Sequence, residues 1–154
     1  MTTRLMKLAA LLLCLTVAMW AADPWLGTWK VNVAKSKFSP GPPPKSRIQT
    51  VEVVGDQIRS TTESVAADGQ TSKSVWIGKY DGKPYPVEAA TSGYTAAIKR
   101  MGTNIQEMTV TLNGKPASTS RSTLSKNGKT INRVVKGVST KGEKVHNVTV
   151  WEKQ

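Results

Sequence analysis

From residue 26 to the C-terminus the chain carries no sustained helical periodicity. It consists of runs of about 7 to 10 residues, rich in Val, Ile, Thr, Ser and aromatics, in which apolar and polar positions alternate. Turn signals separate them: Gly55-Asp56, Asp68-Gly69, Asp81-Gly82, Gly102-Thr103-Asn104, Asn113-Gly114, Asn127-Gly128 and Lys141-Gly142. Asn-Gly and Asp-Gly tolerate the positive φ that a tight hairpin needs, so each marks a place where a strand can reverse. The pattern predicts strands near 26–32, 47–54, 57–65, 71–80, 94–101, 104–112, 116–124, 129–137 and 144–152. Residues 36–46, SKFSPGPPPKS, deny both helix and ladder through their four prolines and are expected to be a stiff connection. DGKPYPV, 81–87, reads as a second proline-bearing crossing.

Strands joined in sequence by hairpins form an antiparallel meander. Closing that meander is the simplest way to leave no exposed edge. The expected fold is therefore all-β, an antiparallel up-and-down barrel of about 8–10 strands. The alternation is less clean than a plain core would give: Ile58, Ser60, Thr62 and Ser64 share one face, Trp76, Gly78 and Tyr80 another, and Ile131, Arg133 and Val135 a third. Two readings stand at this point. Either the barrel has a half-polar interior, or the core is thin and the register slips by one, which exchanges the faces.

Ahead of the meander lies a different pattern. MTTRLMK carries two positive charges, and LAALLLCLTVAMWAA then runs apolar to Ala22 before the first acid, Asp23. This is the layout of a secretory signal peptide, and the apolar run is shorter than the ~20 residues that span a bilayer. Residues 1–22 are read as a leader cleaved near Ala22, and 23–154 as one domain, periplasmic or extracellular. Cys14 lies inside the apolar run behind Leu13, the wrong context for lipid attachment. Cleavage removes that cysteine together with Arg4 and Lys7, so the formal charge falls by two, from +12 to +10. Sparse large aliphatics and high charge lean toward disorder, but the regular turn spacing opposes that.

Gly27-x-Trp29 opens the first strand, within GTWKVNVAKSKFSPGPPPKS. With YDGKPYPV, SKNGKT and a terminal VHNVTVWEKQ, this run resembles small secreted bacterial proteins of lipocalin-like (calycin-type) fold. The resemblance spans nearly the whole mature chain. It implies a barrel in which Trp29 plugs the closed end, Gly27 lets the chain approach closely, and Trp25 covers the same end from outside. It assigns no activity. The Arg-x-Tyr pair that grips a fatty-acid carboxylate in related barrels is absent, as is the second lipocalin signature with its Thr-Asp-Tyr.

Chemistry is thin. His146 is the single histidine, the ten acids are scattered, and neither G-x-S-x-G nor H-E-x-x-H occurs, so no catalytic residue, metal site or cofactor is assigned. His146 is read as a surface strand residue, and Asn147-Val148-Thr149 as a chance sequon. From Lys115 onward nine Lys or Arg face two acids, Glu143 and Glu152. This basic surface is either a solvated face or a contact for anionic envelope polymer or lipid. Export and the lack of aromatics interleaved with the basic residues speak against nucleic acid.

A non-enzymatic, monomeric barrel holding a small apolar or amphiphilic molecule is the first functional reading; an envelope module acting through its basic face is the second. The expected ligand contacts are Trp76, Tyr80, Tyr94, Arg100 and Arg133. Arg133 alternates with Ile131 and Val135, so it points inward if they do. A buried guanidinium with no acid on its strand wants a carboxylate or phosphate, or else a ring such as Trp29 to stack on.

Overall fold

The computed structural model describes residues 23–154; the expected leader, Cys14 and the cleavage point fall outside the described residues. Ten strands make one sheet: β1 (Gly27–Lys37), β2 (Ser46–Val54), β3 (Gln57–Val65), β4 (Thr71–Gly78), β5 (Asp81–Glu88), β6 (Tyr94–Arg100), β7 (Ile105–Leu112), β8 (Lys115–Leu124), β9 (Thr130–Val138) and β10 (Lys144–Lys153). Each pairs antiparallel with its sequence neighbours, and β1 pairs with β10, which closes the barrel. The up-and-down order puts the N-terminal turn and the β2–β3, β4–β5, β6–β7 and β8–β9 connections at one end. The remaining connections, including the proline-rich Phe38–Lys45, sit at the other.

Turn chemistry places the reversals. At β7–β8 both Asn113 and Gly114 have positive φ, 50° and 76°, the geometry of a two-residue hairpin that follows the sheet twist. β1 runs five residues longer than its alternation suggests because side chains carry it across a bulge. The Asn32 side-chain oxygen accepts from the Lys35 amide, Ser36 Oγ donates to the Asn32 carbonyl and accepts from the Val150 amide, and pairing resumes at Lys37 opposite Val148.

The segment 81–87 is a correction: it is strand β5, not a crossing, and the chain reverses at Lys79–Tyr80. Pro84 and Pro86 are two apart, so the ladder donors they lack belong to one edge of the strand. β5 pairs with β6 at Pro84, Tyr85 and Pro86, but with β4 only at Val75–Glu88 and Trp76–Val87. The prolines thus leave a strand with one well-paired side and a thin seam on the other. Gly78 lies on that seam, where a side chain would run into the rings of Trp76 and Tyr85.

The apolar core occupies only one end. Trp29 is fully buried, and around it pack Trp25, Val31, Val51, Leu124, Ile131 and Trp151. Its indole N–H donates to the Trp25 carbonyl at 3.0 Å, and the Trp25 indole donates to the Thr103 carbonyl at 3.0 Å, tying the N-terminal turn to the β6–β7 connection. Trp29 is therefore a floor. Trp25, 3 % exposed, belongs to that floor and is not an outer cover.

Candidate functional site: an interior cavity

Above the floor the inward positions change character. Ser60, Ser120, Ser122 and Thr149 are all buried, so hydroxyls occupy places where a filled barrel would set Val or Leu. Small polar side chains cannot fill the space between the walls. A cavity of about 210 Å³ results, lined by the floor tryptophans, by Trp76, Tyr80 and Tyr94, and by Gln49, Gln106 and Arg133. A second space of about 290 Å³ lies toward the opposite end, shares Arg133 and Met108, and adds Arg47, Ser64 and Asn147. The half-polar interior is the reading of the strand faces that the register supports.

One wall is aromatic. Trp76 stacks on Tyr80 with centroids 6.1 Å apart and planes 17° from parallel, and meets the edge of Tyr85 at 5.9 Å. Its indole N–H reaches over β5 to the Ala96 carbonyl of β6, 3.0 Å away, bracing the thin seam from inside. Burial pushes the Tyr80 phenol above its ordinary pKa, against the opposing pull of Arg100, so it stays neutral.

The opposite wall carries Arg133. Its Nε donates to Ser122 Oγ at 2.9 Å, directly across the β8–β9 ladder, and Nη2 donates to Gln49 Oε1 at 3.1 Å. The guanidinium lies 4.7 Å from the centre of the Trp151 ring. Trp151, not Trp29, is thus its cation-π partner; the ammonium of Lys153 occupies the Trp29 face, at 5.1 Å. Arg133 is half-buried and lines both spaces. Burial is the main cause that lowers its pKa to about 10, with the charge of Arg47 adding to the effect. Neither cavity wall contains an acid.

Of the other expected contacts, Trp76, Tyr80 and Tyr94 all line the cavity. Arg100 stands apart from it: Nη2 pairs with Asp23 Oδ2 at 2.5 Å, and the guanidinium covers the outer side of the Tyr80 ring at 4.4 Å. Its inward alternation with Tyr94 and Ile98 is cut short because β6 ends there, at the closed end where Asp23 waits. Several lumen residues escaped sequence reading, Gln49 and Arg47 among them. Gln49 was invisible because a lone Gln in a strand carries no motif. Arg47 could have been found, since Arg47, Gln49 and Val51 alternate in step. Among the described residues no three His, Cys, Asp or Glu side chains come together as a metal would require.

No protein-family model matches the chain, and no curated protein matches it. Among solved structures, the chain is similar to zebrafish ileal bile acid-binding protein crystallised with cholic acid. The TM-score is 0.50 at 13 % identity, over 85 % of this chain and 99 % of that one. At such identity the likeness concerns the fold. It shows an all-β, closed, lipocalin-like barrel.

Proposed function

We propose that this protein is a non-catalytic carrier, exported through its leader, that holds a small anionic amphiphile inside the barrel as a monomer. The observation that carries the reading is Arg133: a half-buried cation lining a lumen with no carboxylate in its wall, its Nε and Nη2 engaged only by neutral oxygens. Burying a charge without a counter-charge is unfavourable unless something else compensates it. An anionic head group supplies that compensation through charge-assisted hydrogen bonds, while Trp76, Tyr80 and Tyr94 offer apolar surface to a tail. The zebrafish neighbour, a bile acid-binding protein by name, supports a barrel of this kind serving a small amphiphile.

Displacement of the neutral fluorophore N-phenyl-1-naphthylamine tests this. Decanoate is expected to displace it, and Arg133→Gln to weaken decanoate by about 10-fold or more, the equivalent of one charged hydrogen bond, with decanol nearly unaffected. Equal weakening of acid and alcohol, or no fluorophore binding, would remove the reading. Native mass spectrometry of protein from its own host is expected to show a retained small molecule.

A further inference from the structure

Arg133 is not the only cation in the lumen. Arg47, on β2, lines the second space together with it, and burial likewise lowers its pKa. The two are mounted in the same way. Arg47 sits directly opposite Ser64 in the β2–β3 ladder and donates from Nε to Ser64 Oγ at 3.0 Å; Arg133 sits directly opposite Ser122 and donates from Nε at 2.9 Å. A cross-strand serine thus fixes each guanidinium by its inner nitrogen and leaves both Nη groups of Arg47 and Nη1 of Arg133 for something else. Gln49, between them on β2, accepts from Arg133 Nη2 and donates to Ser60 Oγ at 2.7 Å, so it is locked in place and neutralises neither. The titratable groups lining the two spaces are Arg47, Arg133, Tyr80 and Tyr94, and none of them is a carboxyl.

Resting on the carrier reading above, we infer that Arg47 and Arg133 together form a site for a doubly charged head group, so that the preferred ligand is a phosphomonoester of an apolar alcohol. Two like charges in a low-dielectric lumen repel each other, and a monoanion compensates only one of them. A phosphomonoester carries nearly two charges at neutral pH and enough acceptor oxygens to engage two guanidinium groups. The aromatic wall of the first space takes the tail, and Arg133, which lines both spaces, joins it to the head site in the second.

Decyl phosphate and decyl sulfate separate the possibilities, because their heads are alike in shape and differ in charge. At pH 8 decyl phosphate is expected to displace N-phenyl-1-naphthylamine at least about 10-fold more tightly than decyl sulfate. At pH 5 the preference is expected to vanish, because the second phosphate ionisation lies near ~6. That arm needs no variant. Arg47→Gln is expected to lower decyl phosphate affinity far more than decyl sulfate affinity, and Arg47→Lys to restore part of the difference. Inorganic phosphate is expected to compete only weakly; competition equal to decyl phosphate would mean a plain anion site and overturn the amphiphile. If phosphate and sulfate bind equally at pH 8 and both depend on Arg133, the two-arginine head site is wrong while the carrier reading stands. If decanol matches both, or nothing displaces the fluorophore, the carrier reading falls and this inference with it.

Discussion

The two ends of the barrel are built on opposite terms. At the closed end four of the most buried side chains are Trp25, Trp29, Ile131 and Trp151, each between 0 and 3 % exposed, and their indole N–H groups find acceptors within the fold. Toward the other end Ser64, Ser74, Asn147 and two arginines share the lining with Met108 and Val135, and no carboxylate is among them. The first arrangement stabilises the chain and leaves no room. The second makes room and leaves charge uncompensated. Small β domains have little stability to spare, so a polar lumen held above a tryptophan floor separates the part that folds the protein from the part that meets a ligand.

The largest effect that tests this contrast is at the floor. Trp29→Ala removes a side chain with no exposed surface from the centre of the core cluster. It is expected to lower the unfolding free energy by about 3–5 kcal/mol, measured by urea titration. A loss under about 1 kcal/mol would mean that the floor is not where stability resides.

The second effect is smaller and opposite in sign. A cation whose folded pKa is lowered disfavours the fold wherever it is charged. For Arg133 that cost is complete below about pH 10 and is relieved as pH rises from there toward the ordinary guanidinium value. At neutral pH, Arg133→Met keeps much of the volume and removes the charge, so the ligand-free protein is expected to gain about 1–3 kcal/mol. Decanoate at one fixed concentration is expected to raise the thermal midpoint of the native chain more than that of the variant. Destabilisation by Arg133→Met would show instead that the bonds to Ser122 and Gln49 and the Trp151 stacking outweigh desolvation, making Arg133 scaffold.

The contrast was partly legible in the sequence. Period-2 alternation and Asn-Gly or Asp-Gly turns suffice for a meander, and a meander of this length is satisfied by closure. The mixed face of Ile131, Arg133 and Val135 left two readings open, a half-polar lumen or a thin core with slipped register, and only the observed pairing separates them. What stayed hidden depends on register across the sheet. Ser64 and Ser122 become mounts only because they stand opposite Arg47 and Arg133, nothing in one strand says which residue of another will face it, and the partner of Arg100 lies 77 residues away. β5 was missed because Pro84 and Pro86 normally forbid a strand, and here they sit beside a seam that asks nothing of that edge.

The smallest effects separate two ion pairs at the closed end. Asp23 and Arg100 are 25 % and 29 % exposed, and Asp23 also accepts from the Trp25 amide at 3.1 Å, so one carboxylate fastens both the N-terminal turn and the end of β6. Arg100 already has a buried Nε without a partner, and losing Asp23 would leave the guanidinium with the Tyr80 ring alone. Asp23→Ala is expected to lower stability by about 1–2 kcal/mol, below the cost of breaking a fully buried pair and above that of a surface one. Lys79 and Asp56 make an equally short contact, 2.5 Å, but are 46 % and 78 % exposed. Lys79, by hydrogen bonding first and charge second, holds the Asp56 carboxyl below its ordinary range. The sign is that of a depressed acid: any stabilisation is present above the unfolded pKa and lost as pH falls through the folded one. Water and salt screen that pair, so Asp56→Ala is expected to leave the thermal midpoint where it was, at low salt and high. If the two substitutions behave alike in differential scanning calorimetry, burial does not distinguish them, and Asp23 is an ordinary surface acid rather than the clasp of the floor.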